Sequence, residues 1–256
     1  LAVLMVTLYR FGEVSLTESV VGKWASKAVY LGASGVDLFF VLSGFLITGI
    51  LLEQKGSSTY FSTFYARRSL RIFPLYFASL ILFLWVLPSL GGNSILTGRT
   101  IDGGPKEITG NPLHLWLYTT NLSIAWANDW QFGALDHFWS LAIEEQFYLV
   151  WPLVVLALSR QYLLRTCLIA CIVLVACRIS FAVATNLDVT SKTFTLFRVE
   201  GLLLGAAAAT CIPRNYDCQN QMLRRIRLGV LVLLALFAVT LVLGKNDLTI
   251  RYTLVS

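Results

Sequence analysis

The chain has 256 residues, of which 57% are hydrophobic and only 13% charged, with a net charge of +6 and a mean hydropathy of +0.71. That balance excludes a soluble domain of this length and predicts an all-α, polytopic membrane protein whose interior is helix against helix and helix against lipid. No nucleic acid is needed to explain the positive charge, because Lys and Arg in short loops set membrane orientation and no basic tract with interleaved aromatics is present.

In chain order, apolar runs predict helices over about 1–10, 29–52, 70–90, 139–158, 166–184, 194–211 and 228–244, with a shorter apolar piece at 113–127. The segment Leu1 to Tyr9 opens inside an apolar run and reads as the second half of a transmembrane helix. The expectation is therefore a single membrane-embedded domain over 1–256, cut at both ends. Three stretches are basic: Glu53–Arg71, Ser159–Arg165 and Ile212–Leu228. The positive-inside rule assigns all three to the cytoplasm. They share a side only if 113–127 does not cross, so that piece is expected to be re-entrant or interfacial, in keeping with its length and its Thr119, Thr120 and Asn121. The loop Gly91 to Asn111 then faces outside. Cys167, Cys171, Cys177, Cys211 and Cys218 lie in or beside apolar helices without paired spacing, and read as small hydrophobes.

Candidate functional residues are the polar groups inside apolar helices, because a carboxylate or guanidinium in the bilayer costs several kcal/mol, roughly 2.5 to 3.5 on insertion scales. The first run, Gly35 to Gly49, carries Asp37 near a helix start and Ser43-Gly44 in mid-span. Asp37 suits a helix N-terminus, and Ser43 with Gly44 suits close packing rather than covalent chemistry. In Phe64 to Tyr76, Arg67, Arg68 and Arg71 are expected at a helix start, either as membrane anchors or as guanidinium forks for phosphates.

The richest run is HFWSLAIEEQFYLVWP, His137 to Pro152. His137, Ser140 and Glu144 share one helical face, while Glu145 turns about 100° away. A histidine that takes a proton beside a carboxylate has the parts of a general base; a satisfied polar pair at a helix mouth is the alternative. In Thr193 to Ala209, Arg198 and Glu200 are two residues apart and cannot pair within a regular helix. The simplest partner for Arg198 is Glu144 or Glu145. Gly201 and Gly205 form a small-residue stripe that lets helices approach closely. No nucleotide loop, dinucleotide fingerprint or clustered Cys/His set occurs, so no metal site is expected.

The blocks FFVLSGFLIT, RRSLRIFP, HFWSLAIEEQFYLVWP and FRVEGLLLG, in this order, resemble the acyltransferase family 3 membrane proteins. The resemblance implies a bacterial inner-membrane, multi-pass O-acyltransferase. About seven helices and one short segment of a roughly ten-helix domain would be represented. Such a protein moves an acyl group, commonly acetyl from cytoplasmic acetyl-CoA as co-substrate, to a hydroxyl of an envelope polysaccharide or lipid-linked sugar. It implies CoA phosphates at Arg67, Arg68 and Arg71, and Glu144, Glu145, Arg198 and Glu200 match positions that recur in the family; on that reading Arg198 is expected to stabilise the oxyanion, Glu144 and Glu145 to orient or neutralise, and His137 to act as base. The family's catalytic histidine, at the end of its first helix, is matched here by Arg10. Arginine, with a pKa above about 12, cannot be a general base. Two other readings therefore stay open: an impaired relative that binds acyl-CoA or glycan, and a transporter using the same buried charges.

Overall fold

The structure is a computed structural model that describes residues 34–89, 98–99, 105–106, 108–185 and 187–211. Apart from the helix ends 34–39 and 208–211, the described residues belong to one compact unit, Phe40–Ala207. The expected helices at 1–10 and 228–244, most of the loop Gly91–Asn111, and Arg10 lie outside the described residues.

The regular structure of the described residues is helical except for a two-residue antiparallel ladder in which Gly98 pairs with Lys106 and Arg99 with Pro105. Helix α1 is Ser34–Gln54. Helix α2, Tyr60–Ile81, runs on through a π turn at Leu82–Val86 and a last turn at Leu87–Ser89. Two short helices follow, α3 (Leu113–Trp116) and α4 (Thr120–Ala127). Next come α5, Phe138–Ala157, and α6, Arg160–Thr185. The described chain ends with α7 (Asp188–Thr193), α8 (Thr195–Arg198) and α9 (Glu200–Cys211).

Four of these helices are long and apolar enough to cross a membrane: Gly35–Gln54, Tyr60–Ser89, Phe138–Ala157 and Arg160–Thr185. Among them α5 has the lowest mean hydropathy, 1.3 against 2.5 for α6, yet 44% of its apolar window is buried against 11% for α6. A helix that is less apolar but more buried is held by protein rather than lipid, and α5 is the one carrying the paired glutamates.

Helix α1 packs on α5 through Trp151, whose Nε1 donates to Thr48 Oγ1 at 2.8 Å. It meets α9 through glycine: a Cβ on Gly44 would stand 2.0 Å from the Leu202 carbonyl oxygen, and one on Gly205 2.0 Å from that of Val41. The backbones touch there, so the expected small-residue contact is present, with Gly44 as the partner of Gly205. Two tyrosines of α2 bind backbone carbonyls of α5, Tyr60 to Pro152 at 3.0 Å and Tyr65 to Leu149 at 2.9 Å. Lys55, in the α1–α2 turn, donates to the carbonyls of Val155 and Leu158 at 2.7 and 2.6 Å, capping the end of α5.

Two expectations are corrected here. The arginines Arg67, Arg68 and Arg71 do not begin a helix: α2 starts at Tyr60 and continues through Pro74, which places them in its second and third turns. The apolar run at 194–211 is not one helix either. Phe194 is extended (φ −69°, ψ 129°), and the chain turns again at Val199, between Arg198 and Glu200. The piece 113–127 is broken at Tyr118, in the left-handed region at φ 53°, and neither half is long enough to span.

Candidate functional site

The residue order of α5 places Tyr148 one turn below Glu144, so the two side chains stack on one face. Glu144 is 2% exposed. Its Oε2 accepts a hydrogen bond from the Tyr148 hydroxyl at 3.0 Å. The Tyr148 oxygen is also in hydrogen-bond contact with Ser43 of α1. Since the single phenolic proton goes to Glu144, Ser43 is the donor to Tyr148. Three groups on two helices thus form one chain, Ser43 to Tyr148 to Glu144. Among the described residues no hydrogen-bond partner meets Glu144 Oε1 or Glu145 Oε1, though both are buried. Such an oxygen is set to accept a proton or a hydrogen bond from a bound hydroxyl.

The cation beside this chain comes from α2. Arg68 lies with its guanidinium 5.4 Å from the centre of the Tyr148 ring, and its charge acts on both Glu144 and Glu145. On its other side Arg68 lines a cavity of about 160 Å³ with Ile50, Gln54, Phe64, Arg67 and Arg71. Arg67 and Arg71 are exposed and Arg68 is half-buried. The Gln54 Oε1 at the same cavity is buried with no hydrogen-bond partner among the described residues. Three guanidiniums around one apolar-floored recess suit a polyanion such as a phosphate ester.

The remaining candidates lie elsewhere. The expected pairing of Arg198 with Glu144 or Glu145 is not the arrangement found. Arg198 is buried at the end of α8, with its guanidinium 5.7 Å from the Trp139 ring and 5.9 Å from that of Phe40. Glu200 pairs instead with Arg178 of α6 at 2.8 Å, both side chains 11% exposed. His137 is exposed before α5, its Nδ1 2.7 Å from the Ala134 carbonyl, and Ser140 donates to the His137 carbonyl at 3.2 Å. The shared seam of His137, Ser140 and Glu144 is therefore not built: the histidine bends back to its own turn while Glu144 points inward to Tyr148. Asp37 is in the first turn of α1. His114, at α3, contacts Thr119 at 2.9 Å and reads as structural.

Glu145 turns about 100° away from Glu144 on α5, and its Oε1 is buried. Next to it Gln146 donates to Asn121 Oδ1 and to the Tyr118 carbonyl, each at 2.9 Å, and accepts from Thr195 at 2.7 Å. Asn121 in turn donates to Thr195 at 2.8 Å. These bonds seat α4 and α8 against α5 and satisfy the polar groups that the sequence places at membrane depth.

Comparison with known proteins settles what carries this arrangement. A family model described as an acyltransferase domain matches residues 1–255. The chain belongs to acyltransferase family 3. Among similar relatives of the family are the peptidoglycan O-acetyltransferase OatA of Listeria monocytogenes, 36% identical over 129 residues, or 47% of this chain and 19% of that protein. The putative peptidoglycan O-acetyltransferase YrhL of Bacillus subtilis is 38% identical over 130 residues, covering 48% of this chain and 19% of its own length. The O-acetyltransferase OatA of Staphylococcus aureus is 32% identical over 192 residues, or 71% of this chain and 30% of that protein. The matches thus take in between 19 and 30% of the length of these relatives. No solved structure gives a significant match.

Reading the family blocks from the sequence found Glu144 and Glu145 by their charge in an apolar run. It missed Tyr148, because one tyrosine in an aromatic-rich helix reads as packing; the signal was its spacing of four from Glu144.

Proposed function

We propose that this protein is an O-acyltransferase that moves an acyl group, acetyl by preference, from acyl-CoA to a hydroxyl of an envelope carbohydrate. The observation that carries the reading is the junction at Arg68: one guanidinium borders a three-arginine cavity and covers the ring of Tyr148, whose hydroxyl bonds the buried carboxylate of Glu144. The CoA phosphates would occupy the cavity, and the thioester would extend toward Glu144. The relatives' names supply the acceptor class, a peptidoglycan hydroxyl. The inner membrane of a bacterium is the proposed location, with the cavity on the cytoplasmic side.

In the reaction the acceptor hydroxyl oxygen attacks the thioester carbonyl carbon, the C–S bond breaks, and the CoA thiolate leaves with its electron pair. The hydroxyl proton passes to Glu144 and then to the thiolate. Glu144 takes this part in preference to His137, since its Oε1 is buried and open to a hydroxyl whereas the His137 ring is exposed and tied to its own turn. Arg68, whose guanidinium covers the Tyr148 ring beside Glu144, is the charge assigned to the developing oxyanion. Arg10 leaves the family's histidine role to another group.

The test is CoA release by membranes containing the protein, supplied with acetyl-CoA and a mixed envelope glycan. Release that depends on acceptor and falls about 100-fold or more in Glu144→Gln is expected. No release above background would favour instead a protein that binds or transports the same ligands.

A further inference from the structure

The acyl-transfer reading assigns the proton to Glu144 but does not say what holds that carboxylate in place. A carboxyl group on a helix in an apolar surround has two free torsions beyond Cβ. A misplacement of about 1 Å at the reacting atom costs on the order of 100-fold in rate. Glu144 has one oxygen tied and one open. The tie comes from Tyr148, and Tyr148 is itself gripped twice. Ser43 holds its hydroxyl from α1, and Arg68 covers its ring from α2.

We propose that Tyr148 is a positioning residue for Glu144: its hydroxyl, fixed by Ser43, orients the carboxylate so that Oε1 faces the reacting hydroxyl, and Arg68 over its ring links that orientation to the arginine cavity. This rests on the acyl-transfer reading. Its geometry is specific to a hydroxyl at this position. The phenylalanine ring of Tyr148→Phe would keep the packing and the Arg68 contact while removing both hydrogen bonds. Tyr65 supplies the control, because its hydroxyl also bonds α5, but at the Leu149 carbonyl on the outer side of the helix.

The experiment is a kinetic cycle on the protein in membranes, with Tyr148→Phe, Glu144→Gln, the double variant and Tyr65→Phe. Tyr148→Phe is expected to lower kcat about 10- to 100-fold with little change in KM for acetyl-CoA. In the Glu144→Gln background it should lower the residual rate less than about twofold, since a residue that acts through another loses its effect when that other is gone. Ser43→Ala should show a smaller loss, as the Tyr148 to Glu144 bond survives it. Equal losses for Tyr148→Phe in both backgrounds, or for Tyr65→Phe and Tyr148→Phe, would overturn the proposal.

A second measurement does not depend on turnover. The infrared carboxyl band that disappears in Glu144→Gln should shift in Tyr148→Phe and stay in place in Tyr65→Phe. An unmoved band in Tyr148→Phe overturns the link between hydroxyl and carboxylate. A protein whose Glu144 band shifts as expected yet releases no CoA overturns the acyl-transfer reading, and with it the role of Tyr148 in turnover.

Discussion

Arg68, Arg67 and Arg71 look alike in the sequence, and the fold separates them. All three border the cavity, but among them only Arg68 also covers the ring of Tyr148, the partner of Glu144. Arg67→Ala and Arg71→Ala are therefore expected to raise KM for acetyl-CoA with kcat nearly unchanged. Arg68→Ala should raise KM and also lower kcat by about 10-fold or more. Steady-state kinetics at varied acetyl-CoA checks this, and a uniform KM effect at all three positions would contradict it. Arg68→Lys should rescue only part of the loss, since an ammonium lacks the planar fork. The glutamates were legible as charges in an apolar run, because the bilayer makes such charges costly. Ser43 and Arg68, which hold Tyr148 from two other helices, were not, because a contact from another helix leaves no trace in local spacing.

Between helices, contacts are decided by which small residues and which charges meet. Gly44 and Gly205 allow α1 and α9 to touch backbone to backbone. Adding a methyl group at either should push the helices apart and cost about 1–3 kcal/mol or more. Thermal unfolding in detergent should show lower midpoints for Gly44→Ala and Gly205→Ala, with Gly49→Ala, where nothing lies within 4 Å, as the tolerant control. Arg178 and Glu200 join α6 to α9 at 2.8 Å. Removing one charge of a buried pair costs about 3–5 kcal/mol, whereas replacing both by apolar groups is often near neutral. Arg178→Leu should therefore lower the unfolding midpoint more than Arg178→Leu combined with Glu200→Leu. The extended residue Phe194, which separates α7 from α8, was hidden in the sequence, since the run TFTLFRVE carries no glycine or proline to mark it. It is held by bonds from Asn121 to the Thr193 carbonyl at 3.2 Å and to Thr195 at 2.8 Å. Those donors belong to a segment some 70 residues away.

At the scale of the whole molecule, the α1–α2 turn and the end of α5 lie at the same end of the bundle, because Lys55 bonds the carbonyls of Val155 and Leu158. That arrangement requires the chain between α2 and α5 to leave and re-enter on one face, which it does through two short helices that cannot span. In a cysteine-less background, single cysteines at Ser57 and Ser159 should be labelled by an impermeant thiol reagent from the same side. A cysteine at Asn111 should be labelled from the other. The composition and the apolar runs by themselves determined that this is a helical membrane protein, roughly where four of its helices lie, and that Glu144, Glu145, Arg198 and Glu200 are costly enough to need a reason. They did so because hydropathy and the price of burying charge act residue by residue along the chain. Only the tertiary structure decided that Ser43 meets Tyr148 beside Glu144, that Arg68 rather than Arg198 supplies the neighbouring charge, and that Glu200 belongs to Arg178. Those pairings depend on where helices cross, and the crossings are set by glycine contacts and hydrogen bonds between residues far apart in sequence.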